Sequence, residues 1–352
     1  VETYILFITK LKYIYLSKMN NKILITGADG FIGSHLVERL VKLGFNVKAF
    51  IYYNSHNSWG WLEDVDKNIK KEIEVISGDI RDYECIKEAI KNCNYVFNLA
   101  SLIGIPYSYK APYSYIETNI KGIMNIMNAS SGKNILKIIH TSTSEVYGSA
   151  SFVPMTESHP LNAQSPYAAS KIAADQLAIS YNKSFNTPVT IIRPFNTYGP
   201  RQSLRAIIPT IISQFLDNKI KEIKIGNTDA TRDFNYISDT VEGFVSTIKA
   251  KKIIGEVINI GNGQETSITD IIKIVSKITN IKKTIKKEKD RVRNPNTEVK
   301  RLCASNFKAK KLLNWQPKLK SKKGLVEGIT KTIKWFENLE NLKKFKTNLY
   351  NI

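Results

Sequence analysis

A chain of 352 residues can bury a full core as one large domain or two interlocked ones, so a small scaffold held by disulfides or metals is excluded. Its formal net charge of +21 comes mostly from lysines scattered over predicted helices and the C-terminal third. They form no aromatic-interleaved groove, which argues against a nucleic-acid partner and leaves room for an acidic substrate such as a nucleotide diphosphate. Cys85, Cys93 and Cys303 are widely spaced, without a Cys-x-x-Cys pair or a histidine cluster, and predict a reducing cytoplasmic setting with no structural metal.

Residues 1–18 are apolar and aromatic but broken by Lys10 and Lys12, and they lack a small-residue cleavage site. An extension without a functional role is expected there, and no membrane anchor. From Met19 the chain leads into the apolar run Ile23 to Ile25 and then into a glycine-spaced turn, Gly27, Ala28, Asp29, Gly30, Phe31, Ile32, Gly33. Ile32, Leu36, Val37, Leu40 and Val41 follow on one helical stripe that Gly44 stops. Strand, glycine turn and helix in this order suit a pyrophosphate, which needs close backbone approach and the free N–H groups of a helix start.

Further runs of strand length fall at Val47 to Ile51, Ile73 to Ile76, Tyr95 to Leu99, Lys137 to Thr141 and Val189 to Ile192, with helix-period stretches between. The alternation predicts an α/β fold, a Rossmann-type doubly wound parallel sheet covered on both faces. A dinucleotide-binding domain is expected over 19–200. A smaller interleaved C-terminal region over 201–340 is expected to bind substrate, with returns to the sheet near 232–262.

A long helix is predicted from Pro166 to Phe185, carrying Tyr167 and Lys171 four residues apart on one face. A tyrosine alone titrates near 10, and an ammonium one turn away is expected to favour its phenolate. Thr143 follows the strand ending at Thr141, at the carboxyl edge where open α/β sheets place ligands, and its hydroxyl is positioned to bond a substrate alcohol. Glu145, two residues on, offers a carboxylate to a neighbouring carbon.

From Asn21 to about Pro317 the chain resembles the extended short-chain dehydrogenases/reductases, in their nucleotide-sugar epimerase and dehydratase branch. The resemblance rests on Gly27, Gly30 and Gly33, on Gly78-Asp79-Ile80, Asn98-Leu99-Ala100-Ser101 and Ser142 to Gly148, and on Ser165 to Lys171 and Arg193 to Arg201. It implies Asp79 and Ile80 at the adenine and Leu99, Ala100 and Ser101 beneath the cofactor. NAD is the expected cofactor, with NADP left open. Ile51 stands where NAD-binding relatives place an aspartate on the ribose, and Asn54 and Ser55 offer neutral hydrogen bonds instead.

The resemblance also implies Tyr167 with Lys171 as the dyad that oxidises the sugar, and Thr143, Ser144 and Glu145 as its catalytic neighbours. A glutamate two residues after the threonine is similar to the 4,6-dehydratases, where it removes the C5 proton, and Ser144 between them matches the mannose-type enzymes. UDP-glucuronate decarboxylases share a similar segment, and 4-epimerases share the dyad. A dinucleotide-sensing protein without catalysis is the remaining alternative. The stretches Tyr52 to Trp61, Ile105 to Tyr109 and Arg205 to Pro209 resemble the dehydratases of legionaminic-acid biosynthesis that act on N-acetylglucosamine joined to GDP or UDP. Asn196, Arg205, Arg232 and Arg293 are then expected near the substrate, the arginines suiting phosphate oxygens, and Glu298 near the nucleotide ribose. Relatives pair the helices near Pro112 to Ala129 and Pro166 to Phe185, which implies a homodimer.

Overall fold

Alternation of apolar runs with amphipathic ones leaves the runs nowhere to hide except between two helical layers. The computed structural model describes residues 21–292, 297–347 and 349–350, so the extension 1–18 and Arg293 lie outside the described residues. Its strands are β1 (Lys22–Thr26), β2 (Asn46–Tyr52), β3 (Ile73–Gly78), β4 (Tyr95–Asn98), β5 (Lys137–Thr141), β6 (Val189–Pro194), β7 (Asn196–Tyr198), β8 (Glu222–Ile225), β9 (Thr231–Tyr236), β10 (Val257–Ile260), β11 (Glu265–Ser267) and β12 (Thr284–Lys287). Seven of them form one parallel sheet in the order β3, β2, β1, β4, β5, β6, β10.

This is the doubly wound α/β fold that the alternation predicts. Ile23 and Ile25 face one apolar core with Leu36, Val37 and Phe97, whereas Leu24 faces the other with Val96, Ile126 and Ile138. Strand neighbours alternate faces, so a sheet covered twice needs an unbroken apolar run, and that is what the sequence supplies. The strand order reverses between β1 and β4. Helices leave toward opposite faces there, and a crevice opens at the carboxyl ends of the strands.

The Tyr–Lys helix runs from Pro166 to Phe185; Ser165 caps it by accepting Ala168 N–H at 3.1 Å, and Asn186 ends it in the left-handed region at φ 53°. The predicted helix over Pro112 to Ala129 is interrupted by a π-helical turn, Ile116–Lys121. Over the carboxyl edge of the sheet sit a three-stranded sheet, β11, β9, β7, and a parallel pair, β12 and β8. The chain returns from them through β10, which pairs with β6.

Candidate active site

At the sheet's carboxyl edge lies a cavity of about 880 Å³. Gly27, Asp29, Gly30, Phe31, Ile32 and Gly33 line it where β1 passes into the helix Phe31–Lys42. Here the backbone leaves no space for side chains. A Cβ on Gly33 would stand 2.1 Å from the Gly27 carbonyl oxygen, and one on Gly27, at φ 67°, would stand 2.8 Å from Ala100 N. A bare backbone and the open N–H groups of a helix start, with no acidic residue in its first turn, fit a pyrophosphate.

Asp79, Ile80, Leu99, Ala100 and Ser101 continue the lining from the ends of β3 and β4. Asp79 is held bidentately by Arg81, whose Nε donates at 2.9 Å and Nη2 at 2.5 Å, and this keeps the carboxyl below its usual range. Arg81 also lines the cavity, a contribution the sequence reading missed. Asn54 and Ser55 do not line it. Asn54 is spent on its own loop, donating to the carbonyls of Tyr52 and Ser58 and accepting Ser58 N–H at 3.0 Å. Tyr52 takes their place on the wall, its N–H 3.5 Å from Asp29 Oδ2, while Ile51 points into the core.

Thr143, Ser144, Glu145, Tyr167 and Lys171 all line the same cavity. Thr143 Oγ1 accepts Glu145 N–H at 3.2 Å and so caps the short helical turn Ser144–Tyr147 that carries the glutamate. Tyr167 is buried against Tyr115, ring centroids 6.2 Å apart, and Tyr115 donates its hydroxyl to the Gly104 carbonyl. Burial pushes the Tyr167 phenol well above its ordinary range, opposed by a hydrogen bond with Thr143 and reinforced by the charge of Glu145. The expected lowering by Lys171 is not what the structure shows. Lys171 Nζ donates to the Thr141 carbonyl at 2.6 Å, and burial brings its own value down to about 8 although Asp175 pulls it back up.

Asp175 lies one turn beyond Lys171 on the same face and is wholly buried. Its Oδ2 accepts Ser142 Oγ at 2.8 Å, Arg193 Nε at 3.1 Å and Arg193 Nη2 at 2.9 Å. Arg193 donates onward to the Tyr147 hydroxyl at 2.9 Å, and that hydroxyl donates to Asn259 Oδ1 at 2.8 Å. The chain of contacts ties β5, β6 and β10 to the Tyr–Lys helix and sets a negative charge behind the lysine. Asn119, in the π-helical turn, accepts Ser101 Oγ at 2.8 Å and Leu102 N–H at 2.9 Å while donating to Ser170 Oγ at 2.9 Å. It locks the loop after β4 to the same helix. The signal for Asn119 and Asp175 was a polar residue amid apolar helical positions, legible only once partners are known.

Asn196, Arg205, Arg232 and Glu298 line the same cavity. Arg232 Nη2 stands 3.5 Å from Glu298 Oε1, a long contact between two largely buried groups. Asn196 Oδ1 and Thr141 Oγ1 are buried on this wall with no hydrogen-bond partner among the described residues, so both are available to a bound polar molecule.

The glycine turn, the doubly wound sheet and the Tyr167–Lys171 helix over its carboxyl edge define an extended short-chain dehydrogenase/reductase. Within that class the chain belongs to the GDP-mannose 4,6 dehydratase family, whose sequence model matches residues 24–327. The chain is 32% identical over 335 residues to UDP-N-acetyl-alpha-D-glucosaminuronate decarboxylase of Bacillus cytotoxicus, covering 92% of this chain and 100% of that one. It is 31% identical over 341 residues to human dTDP-D-glucose 4,6-dehydratase, covering 93% of each. The crystal structure of UDP-glucuronic acid 4-epimerase from Bacillus cereus in complex with UDP-glucuronic acid and NAD superposes with a TM-score of 0.80 at 31% identity, covering 90% of this chain and 99% of that one. The family therefore spans nucleotide-sugar dehydratases, epimerases and decarboxylases.

Proposed function

We propose that the protein is a nucleotide-sugar 4,6-dehydratase that uses NAD and converts an N-acetylglucosamine joined to GDP or UDP into its 4-keto-6-deoxy form. The observation that carries the reading is Glu145, held by the Thr143 cap on the cavity wall close enough for its charge to act on the Tyr167 phenol. A 4-epimerase has no use for a second base at that point. Ile103, Ile105 and Pro106 give the wall beside Tyr167 an apolar stretch that suits an acetamido methyl group.

Bound NAD supplies a hydride acceptor for C4 and, later, a hydride donor for C6. Tyr167 takes the proton of the C4 hydroxyl, and the ammonium of Lys171, fixed on the Thr141 carbonyl, stabilises the phenolate that does so. Thr143 holds the substrate oxygen beside the phenol. The C4 ketone acidifies C5, and Glu145 removes the C5 proton as the C6 hydroxyl departs with the proton that Tyr167 took from the C4 hydroxyl, forming water and freeing the phenolate. Glu145 then returns a proton to C5, so the net change is loss of one water. Arg232 and Asn196 face the diphosphate, and Glu298 the nucleotide ribose.

Glu145→Gln keeps the size and removes the base. The variant is expected to oxidise C4 and accumulate reduced nicotinamide in a single turnover, with no water loss and no deuterium uptake at C5. Formation of the 4-keto-6-deoxy product at the parent rate would assign the C5 base elsewhere, and a product of unchanged mass from the parent protein would make it an epimerase. The same reading takes the protein as a cytoplasmic homodimer. Tyr113 and Ile116 are exposed on the π-interrupted helix and Phe185 at the end of the Tyr–Lys helix, apolar faces that a second copy covers. A monomer in light scattering at micromolar concentration rejects that assembly.

A further inference from the structure

One wall of the cavity is made by the end of β8, the turn Lys289–Arg291 and Tyr350. The first two are a single body. Glu288 N–H donates to the Ile225 carbonyl at 2.9 Å, and a Cβ on Gly226 would stand 2.2 Å from the Arg291 carbonyl oxygen, so only glycine lets the turn settle on the strand. Arg291 Nε donates to Glu288 Oε2 at 2.5 Å, with Lys224 Nζ 3.5 Å from the other oxygen of that carboxylate. The guanidinium lies over the Tyr350 ring, 4.6 Å from its centroid.

Tyr350 reaches this wall because the segment before it is fastened at both ends of the molecule. Lys344 pairs with Asp64, and Phe345 packs among Trp61, Trp335 and Phe336 with ring centroids 5.5 to 6.2 Å apart. The backbone N–H of Trp61 in turn donates to the Asp29 carbonyl of the glycine turn at 3.0 Å. Thr347 Oγ1 donates to Asp217 Oδ2 at 2.7 Å, beside the foot of the wall.

We propose that Tyr350, stacked on Arg291, is a substrate-binding residue that receives the base of the sugar nucleotide. The inference rests on the function proposed above. The reacting sugar must lie at Tyr167, with the glycine turn on one side, so diphosphate and nucleoside extend toward the opposite wall. The charge of Arg291 is already compensated by Glu288, whose Oε2 lies 2.5 Å from its Nε. A guanidinium so compensated, stacked on an aromatic ring, forms a flat platform that suits a neutral flat ring better than an anion.

The test measures affinity for UDP and for GDP by calorimetry on the NAD-loaded full chain, in the parent, Tyr350→Ala and Tyr350→Phe, alongside kcat and KM for the sugar nucleotide. Stacking is worth about a tenfold change or more per base and tolerates any base, so Tyr350→Ala should weaken the nucleotide that the parent binds and raise KM by about that factor. Its kcat, NAD affinity and melting temperature should stay with the parent, and Tyr350→Phe should bind as the parent does. Parent-like nucleotide affinity in Tyr350→Ala overturns the inference and leaves the dehydratase reading standing. A loss confined to NAD affinity also overturns it and assigns the residue to the cofactor end. A parent protein that binds neither UDP nor GDP removes both.

Discussion

Lys171 provides the sharpest quantitative test, because its environment sets a pH at which activity must fail. Burial lowers its ammonium from 10.5 to about 8, with Asp175 opposing the fall. In the proposed mechanism the Lys171 ammonium stabilises the Tyr167 phenolate as it forms, so activity should drop along an alkaline limb centred near 8. At about pH 9 roughly one lysine in eleven keeps its proton, which sets turnover about tenfold below its plateau. Stability moves the other way. The folded value lies below the unfolded one, so the unfolded chain holds this proton more tightly between about 8 and 10.5. The cost of burying the charge, on the order of 3 kcal/mol, is complete below the folded value and is relieved as pH rises through that window. The assay is kcat against pH with NAD and sugar nucleotide saturating, together with melting temperature over the same range. Lys171→Arg, whose guanidinium does not titrate below about 12, should lose the limb whatever its plateau rate. A flat profile in the parent up to about pH 9.5, or an unchanged limb in Lys171→Arg, would falsify the assignment of the limb to this residue.

Tyr167→Phe should keep NAD affinity and lower turnover by about 100-fold or more, the scale of a lost general base; near-normal turnover takes the phenol out of the mechanism. Gly33→Ala forces a methyl group to 2.1 Å from the Gly27 carbonyl, so isothermal titration should show NAD affinity lost or greatly reduced. Parent-like NAD binding in that variant would mean the turn does not carry the pyrophosphate.

Much of this protein is legible along the chain, because strands, turns and helices are encoded by neighbours a few residues apart. Apolar runs gave the parallel sheet, the spacing of Gly27, Gly30 and Gly33 gave the turn, and the four-residue step from Tyr167 to Lys171 placed both on one helical face and in one cavity. Thr143 and Glu145 were legible for the same reason, as the first residues past the end of β5. What the sequence left undecided depends on burial and on distant partners. Tyr167 is pushed up, not down, because desolvation outweighs its hydrogen bond with Thr143, and Lys171 is held on the Thr141 carbonyl. Asn54 looked like a ribose ligand, but its own loop takes its amide, and Arg81 and Tyr52 line the wall instead. Asp175, Arg193 and Asn259 become one network only when β5, β6 and β10 lie side by side, and Tyr350 meets Arg291 only because Asp64, Trp61 and Asp217 fasten the chain before it. Local pattern fixes which elements form; the charge state and reach of each side chain follow from contacts between residues far apart in the sequence.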